Sequence, residues 1–441
     1  MLYFFVKQIN NRIEYIFDLF FTHLLKVEYK VTSDLEEFSN YKGPKLNYSD
    51  NPINGVPFLL PHSLLFEANI TNHQPTVIDT INGKIFFQTD AGSIFEFDLF
   101  AATFWLVSRY EEYLPYPSDV HGRFTASNSL AYKYKFLQTP IVNQWAMRLS
   151  EKLKKLFPSL KIINSPSGFL STIDIDNAWA FKNKGFKRTA GALLRSLGTE
   201  NFNDLFFRLK VLLGANKDPY DTYTYIQKIH AKYKCPLRIF WLLGDYGPFD
   251  KSTPWKNPAF QEQIMNTMEF ASIGIHPSYA TNNNYAQLNK EVDRLSSIRK
   301  KQITRSRQHY LILRLPVTYQ NLIKAGITED YSMGYADQPG FRAGICSPYY
   351  FFDLGENKKT DLKVFPFAFM DGTFRYHRKD TPEVAVKIII NIINEVKKVK
   401  GTLISIWHNE SLSNWGEWKG WKNVFEQTLE LGATLNYDDK N

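Results

Sequence analysis

Beyond residue 168 the chain alternates strand-length apolar runs with helical patterns, and this limits the fold more than any other feature. Strand patterns fall at residues 171–179, 236–243, 271–276, 303–311, 328–332, 363–369 and 402–406. Helical patterns lie between them, over 181–232, 285–299, 316–325 and 382–399. Repeated βα units bury both faces of a parallel sheet, so the expectation is an α/β protein whose sheet closes, or nearly closes, into a distorted barrel. A chain of 441 residues has material for two or three domains. The Asn-Ser-Pro-Ser-Gly stretch at 164–168 is the natural boundary, giving a smaller α/β domain over 1–160 and the barrel over 165–441. In the first domain, strands are expected at 26–32, 84–88 and 93–97, with helices at 99–113 and 140–157. The first 26 residues read as an amphipathic helix that packs on the domain or lies on a membrane surface.

Side chains of a strand alternate between faces, so Thr172, Asp174 and Asp176 share one face while Ile173 and Ile175 hold the other. Two carboxylates on one face of an apolar strand repel and lose hydration, which a metal ion, an arginine or a catalytic task offsets. A strand end with two solvated acids is the plain alternative. Catalytic groups of a barrel gather where strands end at their C-terminal edge. Three further strand ends carry such groups: His276 in Gly-Ile-His-Pro-Ser, Arg307 with His309 and Tyr310 in Arg-Gln-His-Tyr, and His408 in Ile-Trp-His-Asn. An Asp176–His276 pair is a mixed oxygen and nitrogen set suited to zinc or a neighbouring first-row ion, with Asp174 as base and His408 as acid. Arg307 would keep Asp174 ionised. Arg342 and Asp371 either border the cleft or pack loops. Glu111, Glu112 and His121 read as a helix end that pairs locally and a turn histidine.

In this order the motifs resemble those of the polysaccharide deacetylases, the NodB-homology carbohydrate esterases, over about residues 168–423. Thr-Ile-Asp-Ile-Asp looks like the first motif, with one residue between the aspartates; residues 274–278 resemble the second, and 307–310 the third with His309 in place of proline. Asp330 falls near the fourth, and 406–408 is similar to the fifth. The region before them resembles an N-terminal domain of unknown function that precedes some members. The resemblance implies a divalent metal, zinc foremost, on Asp176 and His276, and an oxyanion donor in the backbone N–H of Tyr310. It implies removal of an N-acetyl group from an amino sugar or a cell-envelope polysaccharide intermediate, at an amide other than a peptide bond. One departure stands out: Ala280 occupies the place of the family's second histidine. His309, Ser278, water or joint use of Asp174 and Asp176 are the candidates to fill it, with His309 preferred. Two other readings stay open, a glycoside hydrolase using the aspartate pair and a glycan-binding protein with weakened catalysis.

A net charge of +9 favours anionic partners in general, but no zinc-finger spacing or RNA-binding aromatic motif accompanies it, so nucleic acid is not expected. Two cysteines are too few for a disulfide framework, and the first residues form neither a secretory signal nor a membrane span, so a cytoplasmic location is expected. The 16% aromatic content suits sugar-lined clefts and a large core equally. Oligomeric state is not legible.

Overall fold

A computed structural model describes residues 1–89, 92–163, 167–198 and 202–436. The expected boundary at 164–168 thus falls largely outside the described residues. Four short parallel strands open the chain, β1 (Leu2–Val6), β2 (Tyr29–Thr32), β3 (Lys45–Tyr48) and β4 (Phe58–Leu59), in the order β2-β1-β3-β4. A hairpin of β5 (Ile78–Thr80) and β6 (Gly83–Ile85) follows.

The opening therefore differs from the expected continuous helix. Leu-Tyr-Phe-Phe-Val is an unbroken apolar run, which periodicity cannot assign, and it pairs on both edges as β1. The helix begins only at Asn11, where the side chain of Asn10 accepts from the N–H groups of Arg12 and Ile13. It widens into a π-helical turn over Asp18–Leu24 and buries Phe17, Phe20 and Phe21. These rings meet Phe4 and Phe100, with centroids 4.8 Å apart for Phe4–Phe21 and for Phe17–Phe100. Much of the aromatic content is spent on core packing in this way. The helix expected over 99–113 stops at Val107, because Arg109 takes a left-handed conformation, φ +55°.

The second sheet holds β7 (Gly168–Ile175), β8 (Leu237–Trp241), β9 (Ser272–Ile275), β10 (Arg305–Ser306), β11 (Glu329–Asp330), β12 (Tyr349–Asp353), β13 (Lys358–Val364), β14 (Phe369–Met370) and β15 (Thr402–His408). Their order is β12-β13-β11-β10-β9-β8-β7-β15-β14, parallel except for the β12–β13 pair. On one face Ile173, Ile239 and Trp241 join the large core that also takes in the N-terminal segment. On the other, Leu170, Phe240, Leu311, Tyr331, Phe367 and Ile406 form a second buried cluster. Contributions from β7, β8, β15 and the loops after β10 and β11 meet there, which requires the sheet to curl. Among the described residues no ladder joins β14 to β11; the Phe367 N–H donates to the Met333 carbonyl between them, at 3.1 Å.

Three strand expectations are corrected. The run 93–97 forms no strand and holds only an isolated bridge of Phe97 with Gln88. The run 303–311 pairs only at Arg305–Ser306, and Tyr310 and Leu311 then take left-handed φ values of +59° and +54° that no strand accommodates. The run 363–369 divides into the end of β13 and a separate β14. No helix among the described residues is long and apolar enough to cross a membrane.

Candidate metal and hydrolytic site

The parallel register of β15, β7, β8, β9 and β10 brings their C-terminal ends to one edge, where His408 lies beside Asp174 and Ser306 beside Ile275. The side chains expected there from the sequence come together. Asp176, one residue past β7, is the centre: its Oδ1 lies 3.2 Å from His276 Nε2 and its Oδ2 3.4 Å from His309 Nε2. His408 Nε2 approaches Oδ2 at 3.9 Å. Asp174 sits beside the group, with Oδ2 3.9 Å from His276 Nε2.

Each imidazole is oriented from behind. His276 Nδ1 faces the Arg307 carbonyl at 2.6 Å, so that nitrogen carries the proton and Nε2 presents its lone pair in the neutral ring. His309 Nδ1 meets Asp250 Oδ1 at 2.9 Å, and His408 Nδ1 meets Asp371 Oδ1 at 2.7 Å. Asp371 also accepts the His408 backbone N–H, so Asp371 belongs to the site and is not loop packing alone. Arg307, fully buried, donates from Nη1 to Asp174 Oδ1 at 2.8 Å and from Nε to the Tyr331 carbonyl at 3.0 Å.

Charge follows this geometry. Burial opposes ionisation of Asp176, but the neighbouring His309, His276 and His408 more than offset it and hold its carboxyl well below the usual range. Burial likewise pulls His309 down, yet Asp176 and Asp250 push it up to about 9. Glu410, which lines the same cleft, is pushed up to about 7 by burial, with His408 partly opposing the rise.

Whether a divalent ion suits these residues is decided by the donor atoms. Asp176, His276 and His309 offer one ligand atom each, all within 4.8 Å of one another. Oδ1 of Asp176 is buried and accepts no well-aligned hydrogen bond, despite the nearness of His276. Tetrahedral zinc with bonds of about 2.0–2.1 Å sets its donors roughly 3.3 Å apart; each Asp176 oxygen lies near that distance from one imidazole, Oδ1 at 3.2 Å from His276 and Oδ2 at 3.4 Å from His309. A carboxylate with one orphaned oxygen, between two imidazoles each held by an outer acceptor, is a set that fits a metal.

Ala280 is explained locally. Asp250 accepts the backbone N–H groups of Tyr279 and Ala280 and also holds His309, so one carboxylate ties the loop without a second histidine to the histidine in the cluster. Ser278 is engaged elsewhere, its Oγ donating to Glu291 Oε1 at 2.6 Å. Asp330 is structural, accepting from Ser306, Ser332 and Tyr319. Glu112 pairs with Arg109, as expected, and also with Arg342, 230 residues away, which makes Arg342 a packing residue. Sequence reasoning missed Asp250, Glu410 and Arg123, all on loops whose spacing carries no periodic signal.

The cleft over the cluster has a volume of about 330 Å³. Its walls include Asp174, His408, Tyr310, Phe249, Tyr376 and Arg123.

Residues 2–158 match the model of a family of unknown function, DUF7033. No curated protein matches the chain. Solved structures named as polysaccharide deacetylases are among those it resembles. One from Mycobacterium smegmatis is 12% identical, with 62% of this chain and 86% of that one covered and a TM-score of 0.39. One from Pseudomonas aeruginosa PAO1 is 11% identical, with 60% and 88% covered and a TM-score of 0.37. Bc1974 from Bacillus cereus is 10% identical, with 61% and 87% covered and a TM-score of 0.27.

Proposed function

We propose that the chain is a metal-dependent deacylase that removes an N-acetyl group from an amino sugar, of the kind found in cell-envelope polysaccharides and their precursors. The observation that carries the reading is the grouping of Asp176 with the Nε2 atoms of His276 and His309, flanked by Asp174 and His408 in separate pairings. The motif order along the sequence and the mostly parallel sheet that brings those motifs to one edge support the same reading.

Amide hydrolysis needs a nucleophilic water, a stabilised oxyanion and an acid for the departing amine. Asp176, His276 and His309 would hold the divalent ion, with zinc the best match to the donor set. The chemistry such an ion supplies when bound is Lewis acidity toward the acyl oxygen and the attacking water. Asp174, paired with Arg307, takes the proton from water as it attacks the acyl carbon. The backbone N–H of Tyr310 donates to the oxygen that gains charge. His408, held through Nδ1 by Asp371, gives its Nε2 proton to the nitrogen as the carbon–nitrogen bond breaks.

A glycoside hydrolase would need one carboxyl of the pair as a protonated acid. Asp176 is held ionised by three histidines and Asp174 pairs with Arg307, which disfavours that reading. The experiment is acetate release by the metal-loaded protein from a panel of N-acetylhexosamine oligomers, with Asp174→Asn alongside. Release by the wild type and none by the variant is expected; equal release by both would end the mechanism.

A further inference from the structure

The sequence before residue 160 carries no motif of its own, yet one of its turns reaches the catalytic cleft. Asp119 closes that turn: it accepts the backbone N–H groups of His121 and Arg123, and its Oδ2 accepts from Arg123 Nε at 2.7 Å. Gly122 suits the tip, because its φ of +75° is one that residues with a side chain rarely adopt. The residues on either side of it contact the second sheet's loops. His121 packs edge-on against Tyr310, with centroids 5.0 Å apart, beside Phe249 and Tyr279.

Arg123 makes the decisive contact. Its Nη1 donates to the Tyr310 carbonyl at 2.8 Å, and its side chain is 11% exposed. Tyr310 and Leu311 are consecutive non-glycine residues in the left-handed region, a strained conformation that persists only where surroundings enforce it. Just before them stand Arg307, which holds Asp174, and His309, which faces Asp176. Whatever fixes residues 307–311 therefore fixes three parts of the site at once.

Resting on the deacylase reading, we infer that Arg123 is a positioning residue: the N-terminal segment completes the active site by clamping the Tyr310 backbone, so that its N–H is aimed at the developing oxyanion. Arg123 touches no reacting atom in this role. It acts through the carbonyl of the peptide that follows Tyr310, and Asp119 keeps its guanidinium in register. The segment matched by a family of unknown function thereby gains a task in catalysis rather than in folding alone.

The test compares wild type, Arg123→Ala and Arg123→Lys, each zinc-loaded, on N-acetylglucosamine oligomers and on 4-nitrophenyl acetate. Misplacing a catalytic group by about 1 Å costs up to about 100-fold, so kcat should fall roughly 10- to 100-fold in Arg123→Ala with KM within about twofold. Zinc content should be unchanged. Arg123→Lys, which retains a donor and the charge toward Asp119, should recover part of kcat, and added guanidinium should partly rescue Arg123→Ala. Should the alanine variant fail to fold, the lysine variant carries the test through its intermediate kcat. Unchanged kcat, a pure rise in KM, or loss that tracks zinc content and resists guanidinium would overturn the inference. Wild-type protein inactive on every substrate would overturn the deacylase reading and the inference with it, whereas active wild type with an indifferent Arg123→Ala would overturn the inference alone.

Discussion

His276 Nε2 lies 3.2 Å from Oδ1 of Asp176, while its Nδ1 is taken by the Arg307 carbonyl. The same peptide segment thus orients the imidazole and, through the Arg307 guanidinium, the neighbouring Asp174. A proposed metal ligand and the proposed base are set by one loop. Replacing His276 or Asp176 by Ala should strip most bound zinc while the fold persists, because both lie at strand ends outside the two hydrophobic clusters. Elemental analysis with circular dichroism checks this, and full zinc occupancy in either variant would remove that residue from the ligand set.

Asp250 tests whether His309 has replaced the histidine absent at Ala280. Loss of an outer partner of a ligating imidazole weakens metal binding by about 10- to 100-fold. Asp250→Asn is expected to weaken zinc by that factor, and His309→Ala by more. If competition with a chelator finds both variants as tight as wild type, His309 is no ligand.

On the proposed mechanism Asp371 would set the alkaline limit of activity. Burial lowers the His408 pKa, but Asp371 at 2.7 Å, with Asp176 and Asp174, raises it well above the ordinary histidine value. A cation on Asp176 would cancel much of that residue's share, leaving Asp371 as the lasting cause. An acid with a raised pKa stays protonated, and activity is lost only as pH rises through that value. Asp371→Asn should therefore shift the alkaline limb of kcat to lower pH, as measured on an N-acetyl substrate. An unmoved limb would separate His408 from the acid role. His408→Ala should cost about 10²–10⁴-fold on amides and less on O-acetyl esters, whose alkoxide leaves without a proton.

Glu112 joins the N-terminal segment to the loop after β11 through Arg342 and Arg109. Burial raises its pKa, yet the two arginines more than offset this and hold it below the ordinary glutamate value. A depressed carboxyl contributes stability that is present above the unfolded pKa and is lost as pH falls through the folded one. Unfolding by urea should show this loss below about pH 4.5, the ordinary glutamate value. Glu112→Gln should cost about 3–5 kcal/mol at neutral pH, since it leaves buried arginines without their partner. A cost below about 1 kcal/mol, the range of an exposed pair, would contradict the account.

The site was legible where the sequence has a period. Asp174 and Asp176 stand two apart on a strand, and His276 and His408 end apolar runs, so pattern alone placed them at one edge of a parallel sheet. It failed where the conformation is tertiary in origin. Tyr310 and Leu311 carry no glycine to announce their left-handed backbone, and 303–311 therefore read as a strand. Asp250 reaches His309 across 59 residues and Arg123 reaches Tyr310 across 187, contacts that no local spacing records. The run of apolar residues in β1 satisfied helix and strand templates alike until its partners β2 and β3 were known.

The central claim is that acetate release depends on one divalent ion held by Asp176, His276 and His309. Chelator-stripped protein titrated with zinc, with acetate release from an N-acetylglucosamine oligomer followed at each addition, measures this directly. The account predicts no release without metal and a rise that levels off at about one equivalent, as a single three-residue site requires. Release that survives stripping, or a fully zinc-loaded protein that frees no acetate from any acetylated sugar, would contradict it.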